Sequence, residues 1–293
     1  MATIRSIWWP NRRQARCLKP LWTYSGSRAM VNASSSISAP DLCILTDGDP
    51  PGSVAESKLA RHLNIPCLST QQSLDRAGLY LQFRDGQLRL GRLGAREHPV
   101  AVDFVSSLIN PRRGPELLLK AIGAMPSRHT VVDATAGLGR DSVILLGAGY
   151  KVTMIEENPV AVALLNDALA RLRKELATSS HADKIALLAG QAEQVLPTLA
   201  QQDGADVIYL DPMFAASGKS ALVKKDMQLF QSLLGHGGDA AELLEVALST
   251  AKYRVVVKRA IKAQPLADRQ PTLSVSGKAV RFDVYALRSL KRD

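Results

Sequence analysis

Apolar and polar positions alternate with two different periods along this chain, and the change of period marks its elements. Leu42-Cys43-Ile44-Leu45 is a short apolar run closed by Asp47-Gly48-Asp49-Pro50, a strand followed by a turn. Between Ser53 and Leu63, Val54, Leu59 and Leu63 recur at helical spacing. Leu79 to Phe83 and Leu88 to Leu90 flank Arg84-Asp85-Gly86-Gln87, the signature of a β-hairpin with a tight Asp-Gly turn. Val102 to Val105 reads as one more strand, and Glu116 to Ile122 as a helix.

From Thr130 onward the runs become shorter and more β-branched. Val131-Val132, Val152 to Ile155, Ile185 to Leu188, Val207 to Leu210 and Val255 to Val257 predict strands. Val160 to Leu176 and Ala240 to Thr250 predict helices between them. Apolar strands separated by helices are buried on both faces, the mark of a doubly wound, largely parallel α/β sheet. Leu273-Ser274-Val275, Gly277 and then Arg281 to Leu287 alternate instead like an antiparallel hairpin. The division expected is a tail over 1–40, a small α+β region over 41–100 and an α/β domain over 101–293.

Composition changes this picture at one end. Of the 293 residues 46% are hydrophobic, enough for a sizeable core, and no run approaches the roughly 18 apolar residues of a membrane span. The net charge is +10, but six positive charges (Arg5, Arg12, Arg13, Arg16, Lys19, Arg28) lie in residues 1–40, which hold no acid. The remainder is mildly basic, so overall charge argues only weakly for an anionic partner. That segment, which also carries Trp8, Trp9 and Trp22, reads as a disordered tail, a translated stretch upstream of Met30, or an organellar transit peptide. Residues 1–29 are expected to be dispensable. Cys17, Cys43 and Cys67 are odd in number and scattered, which suits a reducing compartment such as the cytoplasm, and neither they nor the five histidines have metal-ligand spacing.

Three strand ends carry candidate chemistry. The first is Val131-Val132-Asp133-Ala134-Thr135-Ala136-Gly137-Leu138-Gly139-Arg140-Asp141, a strand, a small-residue loop and a helix start. Gly137 and Gly139 permit a tight turn and close approach to a ligand, and the helix start offers free N–H groups. Thr135 stands where a dinucleotide fingerprint needs its first glycine, so the nicotinamide and flavin pattern is incomplete. An acid followed by xxxGxG is instead the pattern that methyltransferases place around S-adenosylmethionine. The second is Glu156-Glu157-Asn158-Pro159, where Glu156, directly after its strand, is positioned for ribose hydroxyls.

The third is Asp211-Pro212-Met213-Phe214, which matches a [DN]PP[FY] tetrapeptide at three positions of four. An amine on an aromatic ring is a weak nucleophile because its lone pair is delocalised. Hydrogen bonds from its N–H groups to an aspartate and a backbone carbonyl orient the lone pair toward an electrophilic methyl. Phe214 would stack on the flipped base. Lys219, Lys224 and Lys225 follow as candidates for RNA phosphates, and Lys252, Arg254, Lys258, Arg259 and Lys262 cluster around the fifth strand for the same purpose. On this pattern guanine, adenine and cytosine amines are all admissible targets. An oxidoreductase and a non-catalytic RNA-binding module are the rivals of other classes.

DATAGLGRD, the EENP turn, LDPMF with SALVKKDMQLFQSLLG, and RVVVKR with RFDVYAL together resemble the bacterial ribosomal RNA small subunit methyltransferase J family over roughly residues 100–287. The resemblance implies a Rossmann-like methyltransferase fold and methyl transfer from S-adenosylmethionine to a guanine N2 in 16S rRNA. It implies a ribosomal RNA or subunit partner, and neither metal nor membrane. It also implies cofactor contacts at Arg140 and Asp141, Glu156 and Glu157, Gln191 and Ala192, and Asp211. Glu157 stands where the family has arginine, and Gln191-Ala192 where it has a Ser-Ser pair.

Overall fold

The computed structural model describes residues 42–47, 53–111, 116–123, 129–177, 181–201, 204–212 and 239–290. The segment 1–40, Phe214 and the three lysines Lys219, Lys224 and Lys225 lie outside the described residues.

Two sheets organise the rest. The first joins β1 (Leu42–Thr46), β2 (Cys67–Ser69), β3 (Leu79–Arg84), β4 (Gln87–Arg92) and β5 (Val100–Ala101) in the order β2-β1-β3-β4-β5. Helix α1 (Val54–Leu63) links β1 to β2 and starts at a capping box: Glu56 N–H donates to Ser53 Oγ, and Ser53 N–H to the Glu56 carboxylate. The β3–β4 hairpin turns at Asp85 and Gly86, whose φ values of 53° and 72° fit the right-handed twist of its strands.

The stretch Val102 to Val105 is not a strand. β5 ends at Ala101, and Asp103 caps helix α2 (Phe104–Ile109) by accepting from Ser106 N–H at 3.0 Å. An aspartate three residues before a free N–H stabilises a helix start, and the adjacent Phe104 and Val105 then bury on one helical face rather than alternating.

The second sheet has the order β11-β12-β10-β9-β6-β7-β8. Its members are β6 (Thr130–Asp133), β7 (Lys151–Glu156), β8 (Ile185–Ala189), β9 (Ala205–Leu210), β10 (Ala251–Ala260), β11 (Leu273–Ser276) and β12 (Val280–Ala286). Pairing is parallel from β8 through β10, and β12 returns antiparallel to both β10 and β11. Helices α3 (Glu116–Ile122), α4 (Arg140–Gly147), α5 (Pro159–Glu175), α6 (Ala192–Ala200) and α7 (Ala240–Thr250) accompany these strands. This is the Rossmann-like methyltransferase arrangement.

Alternate strand residues serve opposite faces. Val131, Met154, Val207, Tyr209 and Val256 belong to one core with Leu164, Leu165 and Leu169 of α5. Val132, Ile155, Ile208, Leu210 and Val257 belong to the other with Leu196 of α6 and Leu244 of α7. The first core also takes in Ile44, Leu81 and Leu90, so the small sheet shares hydrophobic packing with the large one. Among the described residues, no helix is long and apolar enough to cross a membrane. Chain order reverses at β6, which lies between β7 and β9, and a sheet of this kind opens a crevice at the carboxyl ends of those strands.

Candidate active site

The loop after β6 is fastened to both neighbours. On one side Ala136 N–H donates to Ile155 O at 3.1 Å, and Gly137 N–H to the Glu156 carboxylate at 2.7 Å. On the other, Ala134 N–H donates to Tyr209 O at 3.0 Å, and Asp211 N–H to Thr135 Oγ1 at 2.6 Å. Thr135 therefore does what a glycine at its position could not: its hydroxyl fixes the backbone of the strand end that bears Asp211.

The two loop glycines have different surroundings. Both have positive φ, 54° at Gly137 and 68° at Gly139. A Cβ on Gly139 would lie 2.7 Å from the Phe104 ring, so this residue lets α4 pack against α2. A Cβ on Gly137 would meet nothing within 4 Å among the described residues, so among them the loop presents bare backbone there.

Glu156 is buried at the tip of β7, with one oxygen accepting from Gly137 N–H and the other from Asn158 N–H at 2.8 Å. Burial raises its pKa above the usual glutamate value, and these two backbone donors oppose the rise. Asn158 in turn caps α5, accepting from Val160 and Ala161 N–H ahead of Pro159. Glu157 beside it is exposed. At the next strand tip, Gly190 N–H donates to Glu156 O, and Gln191 precedes α6 with its side chain accepting from Gln194. Ala192 is buried.

Asp133 is almost wholly buried at the tip of β6, accepting from Ser142 Oγ at 2.5 Å and more weakly from Thr135 N–H at 3.3 Å. Burial pushes its pKa up to about 7, opposed by Ser142 and reinforced by the charges of Asp141 and Asp211. Arg140 is half-buried at the start of α4, and its side chain has no hydrogen-bond or ion-pair partner among the described residues.

Asp141 and Asp211 converge on a residue that sequence reasoning had assigned to phosphates. Lys258 Nζ donates to Asp141 Oδ2 at 2.9 Å and to Asp211 Oδ2 at 2.8 Å. Register explains the meeting: Val257 of β10 pairs with Leu210 of β9, which brings Lys258 alongside Asp211. Asp141 Oδ2 also accepts from the buried Tyr209 hydroxyl at 2.6 Å. Burial lowers the Lys258 pKa, but the two carboxylates more than offset this and hold it above the usual lysine value. Asp211 is raised by its depth in the protein and lowered by Lys258; its side chain keeps 40% of its surface open, so water moderates the rise.

Other members of the expected phosphate cluster also turn to the protein. Arg254 donates to Ala121 O and Arg259 to Gln264 O, while Lys252 lies 3.8 Å from Asp206. Lys262 is exposed. Ser142 and Tyr209 were not singled out from sequence, where each reads as an ordinary helix or strand residue, and Thr135 was read only as a missing glycine, with no role for its hydroxyl.

These groups fit S-adenosylmethionine on two observations. The loop is bare and open at Gly137, and the carboxylates of Asp133, Asp141 and Asp211 act on one another with Lys258 as the ammonium among them. Even with Asp133 protonated, the Asp141 and Asp211 carboxylates outnumber the Lys258 ammonium, and that surplus of negative charge suits a cationic sulfonium ligand. Among the described residues, no group of three His, Cys, Asp or Glu side chains is disposed to hold a metal ion.

Known proteins share this architecture. The SAM-dependent methyltransferase family model, SAM_MT, matches residues 67–287. Ribosomal RNA small subunit methyltransferase J of Thioalkalivibrio sulfidiphilus is 45% identical over 193 residues, 64% of this chain and 76% of that protein. The protein of the same name from Pseudomonas paraeruginosa is 40% identical over 240 residues, 80% of this chain and 90% of that protein. The crystal structure of a SAM-dependent methyltransferase from Neisseria gonorrhoeae superposes with a TM-score of 0.65 at 34% identity, covering 84% of this chain and 95% of that one.

Proposed function

Because the chain belongs to the ribosomal RNA small subunit methyltransferase J family of S-adenosylmethionine-dependent enzymes, we propose that it methylates the exocyclic N2 amine of a guanine in 16S rRNA, with Asp211 orienting that amine. The observation that carries this reading is the state of the Asp211 carboxylate. Its Oδ2 is anchored by Lys258, and its backbone N–H is tied to the cofactor loop through Thr135. Its Oδ1 has no donor among the described residues. An amine N–H donated to Oδ1 would hold the nitrogen beside the loop with its lone pair turned toward the methyl.

S-adenosylmethionine supplies an electrophilic methyl on a sulfonium. As nitrogen bonded to that carbon the carbon–sulfur bond would break, releasing S-adenosylhomocysteine, and the nitrogen would gain positive charge, which a fixed carboxylate stabilises more strongly than it does the neutral amine. The proton then shed from nitrogen leaves to Asp211 or to water. Pro212 stiffens the turn after the strand, and Phe214 would stack on the base.

Cofactor contacts are assigned to the Asp133–Asp141 loop, with Gly137 and Gly139 in it and Arg140 and Asp141 at the helix start. Glu156 is assigned to the ribose: a carboxylate offers about four acceptor positions, and two are taken by Gly137 and Asn158. Glu157, Gln191 and Ala192 border the adenine region, Ala192 through its backbone. Lys219, Lys224 and Lys225 are assigned to RNA phosphates. Such a substrate sets the reaction in the cytoplasm.

The test is nucleoside mass spectrometry and site mapping on small-subunit rRNA from cells lacking the protein, then regaining wild type or Asp211→Ala. Wild type should restore one N2-methylguanine. In single turnover with saturating cofactor, Asp211→Ala should be slower by roughly 100-fold or more, the scale for removing a preorganised charge. A methylated adenine or cytosine would refute the target, and wild-type turnover by Asp211→Ala would remove this residue from the chemistry.

A further inference from the structure

We infer that Lys258 is the positioning residue for the substrate amine, acting through Asp211: it anchors Oδ2 so that Oδ1 is presented, as an anionic acceptor, to the incoming N–H. This inference rests on the assignment of Asp211 to the amine.

The geometry separates this contact from an ordinary surface ion pair. Exposed pairs between flexible side chains contribute little, because water screens them and ordering the side chains costs entropy. Lys258 instead bridges carboxylates on two elements, Asp141 at the start of α4 and Asp211 at the tip of β9, and its side chain is only 27% exposed. The far side of the bridge is also fixed, because Tyr209 donates to the same Asp141 oxygen. Tyr209 is buried, and its phenol is held well above its usual pKa, chiefly by burial, so it stays a donor. A chain Tyr209–Asp141–Lys258–Asp211 therefore sets where the Asp211 carboxylate points.

The same contact sets its charge. Among the described residues, the charged and titratable groups acting on Asp211 are Lys258 from β10, Asp141 from α4, Asp133 from β6 and Tyr209 from its own strand. Burial and the acids favour the protonated form, and Lys258 opposes them. A protonated Asp211 can turn a donor toward the amine, which has no use for one. Without the ammonium, Asp211 would lose its direction, and burial and the neighbouring acids would raise its pKa further.

Single-turnover methylation of small-subunit rRNA at saturating S-adenosylmethionine, followed from pH 5.5 to 9, tests this in wild type, Lys258→Met, Lys258→Arg and Asp211→Asn. Lys258→Met should be slower at pH 7 by roughly 10- to 100-fold. Its acid limb should move up by about one pH unit or more, so that alkaline pH recovers much of the rate. Lys258→Arg, which keeps the charge, should retain the wild-type limb, and S-adenosylhomocysteine affinity should change by only a few-fold in both. A wild-type limb in Lys258→Met overturns the inference, however slow the variant, since a merely structural lysine would not move it. Should that variant melt below the assay temperature, Lys258→Gln, polar but uncharged, is read by the same two outcomes. Asp211→Asn keeps the two failures apart. If it is slow while Lys258→Met is normal, only Lys258 is misassigned; if it turns over normally, Asp211 is misassigned as well.

Discussion

Glu156 and Asp211 occupy the same kind of position, an acid at the C-terminal tip of a parallel strand, one on each side of the loop after β6. Their surroundings differ. Glu156 is held by the backbone N–H groups of Gly137 and Asn158, which cannot titrate or swing away. Asp211 is held by the ammonium of Lys258, and its other oxygen has no donor among the described residues. Peptide donors suit a carboxylate whose task is to hold a shape. A charged partner suits one that must remain anionic while charge develops beside it. Asp133 lies between them and, among the described residues, has neither a pair of backbone donors nor an ammonium; its pKa reaches about 7.

The largest effect tests that three-way contrast through stability. The Asp133 carboxyl keeps its proton in the folded protein up to about pH 7, whereas the unfolded chain releases it near the ordinary aspartate value of 3.8. The folded state therefore binds more protons across that window, so this group's contribution to stability falls as pH rises from about 4 to 7 and then levels off. Asp133→Asn removes the titration while preserving polar contact with Ser142. Between pH 5 and 8 wild type should lose about 2–3 kcal/mol more unfolding free energy than the variant, measured by urea denaturation. Parallel pH profiles would mean that Asp133 ionises like its neighbours.

Next in size is the loop that joins the two sides. Gly139→Ala adds both a left-handed-region strain and a Cβ 2.7 Å from Phe104, and should destabilise by about 2 kcal/mol or more. Gly137→Ala adds only the backbone strain, about 1 kcal/mol, but places a methyl on the open face. Thermal melts and S-adenosylhomocysteine titrations should thus rank the pair in opposite orders. Equal losses of affinity would deny that Gly137 faces the cofactor.

The sequence carried much of this plan, for identifiable reasons. Buried parallel strands are continuous apolar runs, so the strands of the large sheet were visible, as were the Gly137–Gly139 turn and the three tip acids. Lys258 was misjudged because a basic residue after Val255-Val256-Val257 looks solvent-facing until β10 is known to pair with β9 in the register that sets it beside Asp211. Tyr209 looked like any strand aromatic, since only its hydroxyl, 2.6 Å from Asp141, distinguishes it. The strand expected at Val102 to Val105 failed because a cap at Asp103 outweighs four residues of β propensity. Partners contributed from distant strands leave no local pattern.

The smallest effect bears directly on the opening contrast. If Glu156 serves by holding Gly137 and offering its remaining acceptor positions to the ribose, its charge matters less than its two oxygens. Glu156→Gln keeps one carbonyl oxygen but turns an NH2 toward the second backbone N–H, leaving that donor unpaired in a buried place. S-adenosylhomocysteine binding by calorimetry should weaken by about 1 kcal/mol in Glu156→Gln, and by up to about 2 in Glu156→Ala. Methyl transfer at saturating cofactor should remain close to wild type in both, because neither variant touches Asp211 or Lys258. The pH dependence of that rate should also be unchanged, since the anchors of Asp211 lie on β10 and in the loop at Thr135. A rate loss at saturation as large as that of Asp211→Ala would show that the two sides are not separable. The division between a shape-holding acid and a charge-holding acid would then fail.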